Sequence, residues 1–377
     1  MEKEIRDEFK KRFNSDGIMY ASSGRINLIG EHTDYNGGFV FPGAVDKCIM
    51  LAIEPNGTEI VNAYALDLKE EASFGLEEKD IPSQQWAHYI FGVCREIIKR
   101  GGVVKGFNAV FAGNVPLGAG MSSSAALEST FAFALNDLFN NNTIEKFELA
   151  RIGQSTEHNY CGVKCGIMDQ FASVFGKKGN LMRLDCRSGE FEYFPFNPKG
   201  YKLVLLDSKV KHELVDSPYN RRRESCERVA ATIGVETLRD ASFEDLEKVK
   251  DKISEEDYKR ARYVIGEKQR VLDVCEALKN GDYETVGARM YETHEGLSKD
   301  YEVSCVELDY LNDIAREMGV TGSRIMGGGF GGCTINLVKD EKYDAFIASA
   351  KEKFAKKFGH EPRVIDVVIS DGARKLS

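Results

Sequence analysis

The chain has 377 residues, 42% of them apolar and 29% charged, and a net charge of −9. That length buries a large core or two domains, and the acidic balance excludes a general binder of nucleic acid or anionic membrane, because no global field attracts polyanions. Nine cysteines without a CxxC repeat read as reduced thiols of a cytoplasmic protein, and no apolar run approaches the roughly 18–20 residues that span a bilayer.

In chain order, residues 1–12 are charged and amphipathic, which predicts a surface helix and not a targeting segment. Residues 24–42 carry the densest information. An apolar pulse (Ile26, Leu28, Ile29) is followed by Glu31, His32 and Asp34, then by the turn Asn36-Gly37-Gly38, with Arg25 upstream. A strand that delivers two carboxylates and an imidazole to a turn suits a polyhydroxylated ligand, since carboxylates accept from hydroxyls and imidazole donates or accepts. A charged surface hairpin has the same composition. Residues 38–53 and 58–64 are β-branched and aromatic and predict strands, and residues 85–100 predict a helix stopped by Gly101-Gly102.

A short strand is expected at 107–111. Pro116-Leu117-Gly118-Ala119-Gly120-Met121-Ser122-Ser123-Ser124 follows, and then a helix to about 139. Glycines admit an anion close to backbone N–H groups, and a helix start adds unpaired donors and partial positive charge. The serines supply hydroxyls and a helix cap. No Lys-Ser/Thr follows the glycines, so this is a phosphate cradle of another kind than a Walker A loop, or else a capped tight turn. A second helix is expected over 144–160, with Glu157 near its end. Asp169, within Gly166-Ile167-Met168-Asp169-Gln170-Phe171, is a carboxylate among apolar residues. It reads either as a helix cap or as a buried acid that needs a partner such as Arg25 to stay ionised. Glu157 and a serine hydroxyl together offer the few oxygen ligands that Mg²⁺ takes from protein.

Residues 191–200 hold two prolines and a glycine and mark the expected domain boundary, giving domains 1–195 and 196–377. Beyond it, strands are expected at 201–206, 333–338 and 363–370, and helices at 219–233, 257–279, 305–318 and 343–358. The sum is an α+β pattern. Gly327-Gly328-Gly329-Phe330-Gly331-Gly332 signals close backbone approach or a hinge.

Taken together, residues 24–42, 116–126 and 327–332 resemble, in order, the motifs of the galactokinase branch of the GHMP small-molecule kinase superfamily. The resemblance implies two domains, one like ribosomal protein S5 domain 2 and a C-terminal ferredoxin-like one, with the site in the cleft between them. It implies a sugar kinase that uses ATP and Mg²⁺ and phosphorylates galactose at O1. N-acetylgalactosamine, arabinose or galacturonate are alternative substrates, and a non-catalytic sugar- and ATP-responsive regulator is a further alternative. Arg25 and Asp169 match the catalytic pair. Glu31, His32, Asp34 and Tyr219, the last in Ser217-Pro218-Tyr219, match sugar-binding positions. Gly118, Ala119, Gly120, Met121, Ser122, Ser123 and Ser124 match the ATP phosphate loop, Ser124 and Glu157 the metal positions, and Trp86 a residue packing near adenine. Arg221, Arg222 and Arg223 are expected on a solvated or ion-paired helix face. Ser22-Ser23 departs from the family's usual Ala-Pro. The intact Ser124-Ala125-Ala126 favours an active enzyme over the inducers that lack a Ser-Ala pair there. Partners are expected to be the sugar and ATP, with no nucleic acid or membrane, and a monomer or weak homo-oligomer is expected.

Overall fold

The computed structural model describes residues 1–210 and 218–376, so Ser217 lies outside the described residues. Among them three sheets form. The largest runs in the order Arg374–Lys375, Ile18–Asn27, Pro42–Pro55, Phe107–Gly113, Val61–Ala65, Glu70–Phe74. Its pairings are antiparallel except for Val61–Ala65 beside Phe107–Gly113. Both faces of this sheet are covered. Met19, Ala52, Val110 and Ala112 meet Ile5 and Phe9 of helix Glu2–Phe13. Their neighbours Tyr20, Leu51, Ile53 and Phe111 join the main core with helices Gln85–Lys99 and Ser123–Asn140. Strands buried on both faces read as continuous apolar runs, so length and β-branching identify them where alternation does not.

The second sheet is antiparallel, in the order Gly322–Met326, Cys333–Lys339, Tyr201–Asp207, Arg363–Asp366. Val204, Leu206 and Val338 pack under helices Val306–Glu317 and Asp340–Phe358, while Leu203, Leu205, Ile335 and Leu337 turn to the main core. Helices Pro218–Ile233, Glu255–Lys279 and Tyr283–Lys299 share a third apolar cluster. No helix among the described residues is long and apolar enough to cross a membrane.

One expectation is corrected. The single strand over 38–53 is divided at Phe41. Phe39–Val40 joins a small sheet with Asn180–Asp185 and Phe191–Pro195, and the chain then enters the large sheet at Pro42. The boundary segment at 191–200 begins as strand Phe191–Pro195, with its proline at the strand end where no ladder donor is required.

Candidate active site

The strand Ile18–Asn27 changes register against Pro42–Pro55 between Ser23 and Arg25. Gly24 sits at that irregularity, where a Cβ would lie 2.7 Å from the Met121 carbonyl oxygen. The glycine lets the strand touch the 116–126 loop, and the Arg25 amide donates to the Met121 carbonyl at 3.1 Å. A bulge of this kind re-aims a side chain, and here it is Arg25. Arg25 Nε donates to Asp169 Oδ1 at 2.7 Å, and Nη1 donates to the Gly120 carbonyl. Burial works against the Arg25 charge, but Asp169, Glu31 and Asp34 outweigh it and hold the guanidinium protonated. The two serines standing where Ala-Pro is usual have their own work. Ser22 donates to the Ser173 carbonyl at 3.0 Å, and Ser23 to that of Asp371 at 2.7 Å, tying the returning C-terminal segment to this strand.

Asp169 lies in the first turn of helix Met168–Phe175, and Ser122 Oγ donates to its second carboxylate oxygen. The expected serine cap is therefore not made. Ser122 holds a left-handed φ of 55° at the start of helix Ser123–Asn140, and its hydroxyl is spent on Asp169. Ser122 makes no side-chain cap bond to that helix, which leaves its first-turn donors for an anion. The two glycine-rich loops meet backbone to backbone: a Cβ on Gly120 would stand 2.9 Å from the Met326 carbonyl oxygen, and one on Gly327 would stand 3.4 Å from Gly120. Close approach, and not a hinge, accounts for these glycines.

Helix Lys146–Thr156 passes into a π-helical turn, Glu157–Cys161, which brings Glu157 beside the Ser124 hydroxyl. Burial pushes Glu157 up to about 7, opposed by the Ser124 hydroxyl and helped by the Asp169 charge. Behind it Glu128 is fully buried and lies well above the ordinary carboxylate range, through burial first and the Glu157 charge second. Gln170 Nε2 donates to Glu128 at 3.1 Å.

The turn after the first strand supplies the polar wall. Burial and the Asp169 charge push Asp34 up to about 6. Burial pushes His32 down to about 3, with Arg222 adding to the effect. Tyr219, in the first turn of helix Pro218–Ile233, lies 5.3 Å from the His32 ring centroid. Glu31 differs from its neighbours. Its Oε1 accepts from the Gly327 amide at 2.8 Å and from Arg324 Nη2 at 3.1 Å.

One cavity is lined by Arg25, Glu31, His32, Asp34, Tyr219, Gly118, Gly120, Met121, Ser122, Ser123, Ser124, Glu157 and Asp169. Two expected residues stand outside that wall. Ala119 is buried beneath the loop, and half-buried Trp86 packs on Phe111 at 5.5 Å and donates to Glu70 Oε2 at 2.8 Å. The arginine run is not a uniform solvated face either. Arg223 pairs with Glu227 at 2.9 Å, whereas Arg222 is buried and donates to the Tyr301 and Glu302 carbonyls. Sequence reasoning missed Arg324, Glu128 and Gln170. The signal for Arg324 and Glu128 was a charge inside an apolar stretch.

Three family models match: the GHMP kinases N terminal domain over residues 88–177, the galactokinase galactose-binding signature over 7–55, and the GHMP kinases C terminal domain over 275–356. The galactokinase of Thermotoga petrophila is 42% identical over 94% of this chain and 98% of its own. That of Clostridium acetobutylicum is 39% identical over 100% of this chain and 98% of its own. The crystal structure of Lactococcus lactis galactokinase complexed with galactose superposes with a TM-score of 0.94 at 32% identity, over 98% of both chains. The Methanococcus jannaschii mevalonate kinase, 19% identical with a TM-score of 0.66 over 94% of this chain and 99% of its own, shares the fold. Full-length identity to galactokinases, the signature over 7–55 and both kinase domains agree: the chain belongs to the galactokinase family of the GHMP kinases.

Proposed function

We propose that this chain transfers the γ-phosphoryl group of ATP to O1 of α-D-galactose, giving α-D-galactose 1-phosphate and ADP. The observation that carries the reading is Asp169, gripped by Arg25 and Ser122 where the polar turn meets the glycine loop. Asp169 accepts or orients the proton of the anomeric hydroxyl, while Arg25 pairs with its carboxylate and faces the transferring phosphoryl group. Glu31, His32, Asp34 and Tyr219 hold the sugar. The backbone of residues 118–124 and the uncapped helix start hold the ATP phosphates. Phosphoryl transfer asks a protein mainly for positioning and charge stabilisation, and this wall offers both.

Ser124 and Glu157 fit Mg²⁺, since both donors are oxygen and the carboxylate is buried beside the hydroxyl. Bound there, the ion would neutralise charge on the ATP phosphates.

The test is turnover of purified chain with ATP, Mg²⁺ and each of galactose, N-acetylgalactosamine, arabinose and galacturonate, with phosphorus NMR of the product. Galactose is expected to be preferred and to yield an anomeric phosphate. Absence of turnover with galactose rejects the reading.

Two further results are expected. Above pH 6 Asp34 is ionised and accepts from sugar hydroxyls through both oxygens; below it one oxygen carries a proton, and the carboxyl loses its charge and part of its acceptor capacity. The KM for galactose should therefore rise as pH falls through about 6, and Asp34→Asn should flatten that limb. A Cβ on Gly166 would overlap the Asp34 carboxylate. Displacing one buried acceptor costs about 1–3 kcal/mol, so Gly166→Ala should raise the galactose KM about 5- to 150-fold. An unchanged KM would show that Asp34 does not touch the sugar.

A further inference from the structure

Arg25 and Asp169 stand on separate elements, and one returning segment is bonded to both. After strand Arg363–Asp366 of the second sheet, the chain crosses to the large sheet. Ile369 bridges Val45, and the Ser370 amide donates to the Ala44 carbonyl at 2.8 Å. Farther on, Arg374–Lys375 pairs with Tyr20 and Ala21, and Lys375 Nζ meets Asp137 at 2.8 Å. The segment is therefore fixed on either side of residues 371–373.

Those three residues serve the helix of Asp169. Helix Met168–Phe175 has only eight residues and ends at Gly176. An α-helix leaves its last carbonyls without partners of its own. Here the Ser173 carbonyl accepts from the Ala373 amide at 2.7 Å, and the Gly176 carbonyl accepts from the Gly372 amide at 2.9 Å. The approach is backbone to backbone, since a Cβ on Gly372 would stand 2.5 Å from the Ser173 carbonyl oxygen.

The strand of Arg25 joins the same place. Ser22 Oγ donates to the Ser173 carbonyl, and Ser23 Oγ donates to that of Asp371, with both serines fully buried. Ser22 faces Ile49 and Ser23 faces Cys48, and they are the last residues before the register shifts to set Arg25 opposite Ala44. A bulge moved by one residue would turn Arg25 to the other face of the sheet.

Resting on the kinase reading above, we infer that Ser22 and Ser23 are positioning residues for phosphoryl transfer: bonded to Ser173 and Asp371, they fix the bulge that aims Arg25 and hold it to the helix that carries Asp169. The sugar wall is held from elsewhere. Arg324 and Tyr263 donate to the Leu28 and Glu31 carbonyls, and Glu267 accepts from the Gly30 amide. Loosening the serine anchor should disturb the pair and spare the sugar.

The test compares the wild-type chain with the double variant Ser22→Ala, Ser23→Ala and with Gly372→Ala, which pushes residues 371–373 off the helix end. Turnover, calorimetric galactose affinity and nitrogen-15 NMR of the Arg25 Nε–H group are measured, that signal being assigned by its loss in Arg25→Lys. In the wild type the group is held on Asp169 at 2.7 Å and should exchange slowly with solvent. In both variants the signal should shift or broaden, and kcat should fall about 10- to 100-fold while galactose affinity holds. An unchanged kcat or an unchanged Arg25 signal in the folded variants overturns the inference. So does a loss of galactose affinity matching the loss of kcat, which marks general loosening. Where the larger changes do not fold, the single Ser23→Ala, which removes one hydroxyl, decides by the same criteria. Failure of the kinase reading appears separately, as absent wild-type turnover, and the Arg25 signal still reports on the anchor.

Discussion

Asp169→Asn should fold, bind galactose within a few-fold of the wild type and lose turnover by about 10²–10⁴. The substitution keeps the side-chain shape, and its amide oxygen can still accept from Ser122 or from Arg25. It removes the charge that the guanidinium neutralises and the capacity to take a proton. The size of the loss carries mechanistic content. A loose transition state needs little push from the nucleophile, so an Asp169 that only orients the hydroxyl predicts a loss near the lower end of that span. A residue that takes the proton during transfer predicts the upper end. Turnover at saturating galactose and ATP, with calorimetric titration of galactose into the same variant, separates chemistry from binding. Near-normal turnover alongside intact galactose binding would remove Asp169 from the chemistry. Arg25→Lys is a companion measurement. A lysine cannot reproduce the guanidinium fork that meets both Asp169 and the Gly120 carbonyl, so activity should fall although the charge remains.

Much of this site was legible because it is local in sequence. Residues 24–42 carry their own strand, turn and polar side chains, and the 116–126 loop reads as a helix start that an anion can approach. What was not legible is what depends on distant partners. Glu31 looks like one more ligand for a hydroxyl, yet one of its oxygens is committed to Arg324, 293 positions later. Ser122 reads as a cap until Asp169, 47 positions on, takes its hydroxyl. The helix Tyr283–Lys299 was missed because Gly287 and Gly296 interrupt its pattern. Both glycines are there for packing, since a Cβ on Gly287 would strike the Thr321 carbonyl and one on Gly296 the Tyr263 ring. Strand Gly322–Met326 was hidden by Arg324, a charge that propensity does not place in a strand with every position buried. For Trp86, the resemblance implies an adenine neighbour, and its contacts with Phe111 and Glu70 are a further pair of partners that the sequence does not show.

Arg324→Ala should cost about 3–5 kcal/mol of folding stability, because it leaves the Glu31 carboxylate buried without its cation. Glu31 is 2% exposed and Arg324 fully buried. The guanidinium also donates to the backbone carbonyls of Leu28, Asn27 and Ile325, so it fastens the end of the first strand to the strand leading into residues 327–332. The Tyr263 hydroxyl donates to the Glu31 carbonyl and Glu267 accepts from the Gly30 amide, so the same turn is braced by helix Glu255–Lys279. Urea unfolding of the wild type and the variant gives the difference directly, and a loss below about 1 kcal/mol would mean that water replaces the arginine at little cost. The double variant Arg324→Met, Glu31→Met separates the pair from its parts. If most of the penalty is an unpaired buried charge, the double variant should be less destabilised than the sum of the single ones, since both charges leave together. Its galactose affinity should nonetheless fall, because Glu31 itself leaves the sugar wall and the fastening that Arg324 gives the turn goes with it. A double variant that recovers stability without sugar binding would separate what Glu31 and Arg324 do for the fold from what they do for the site.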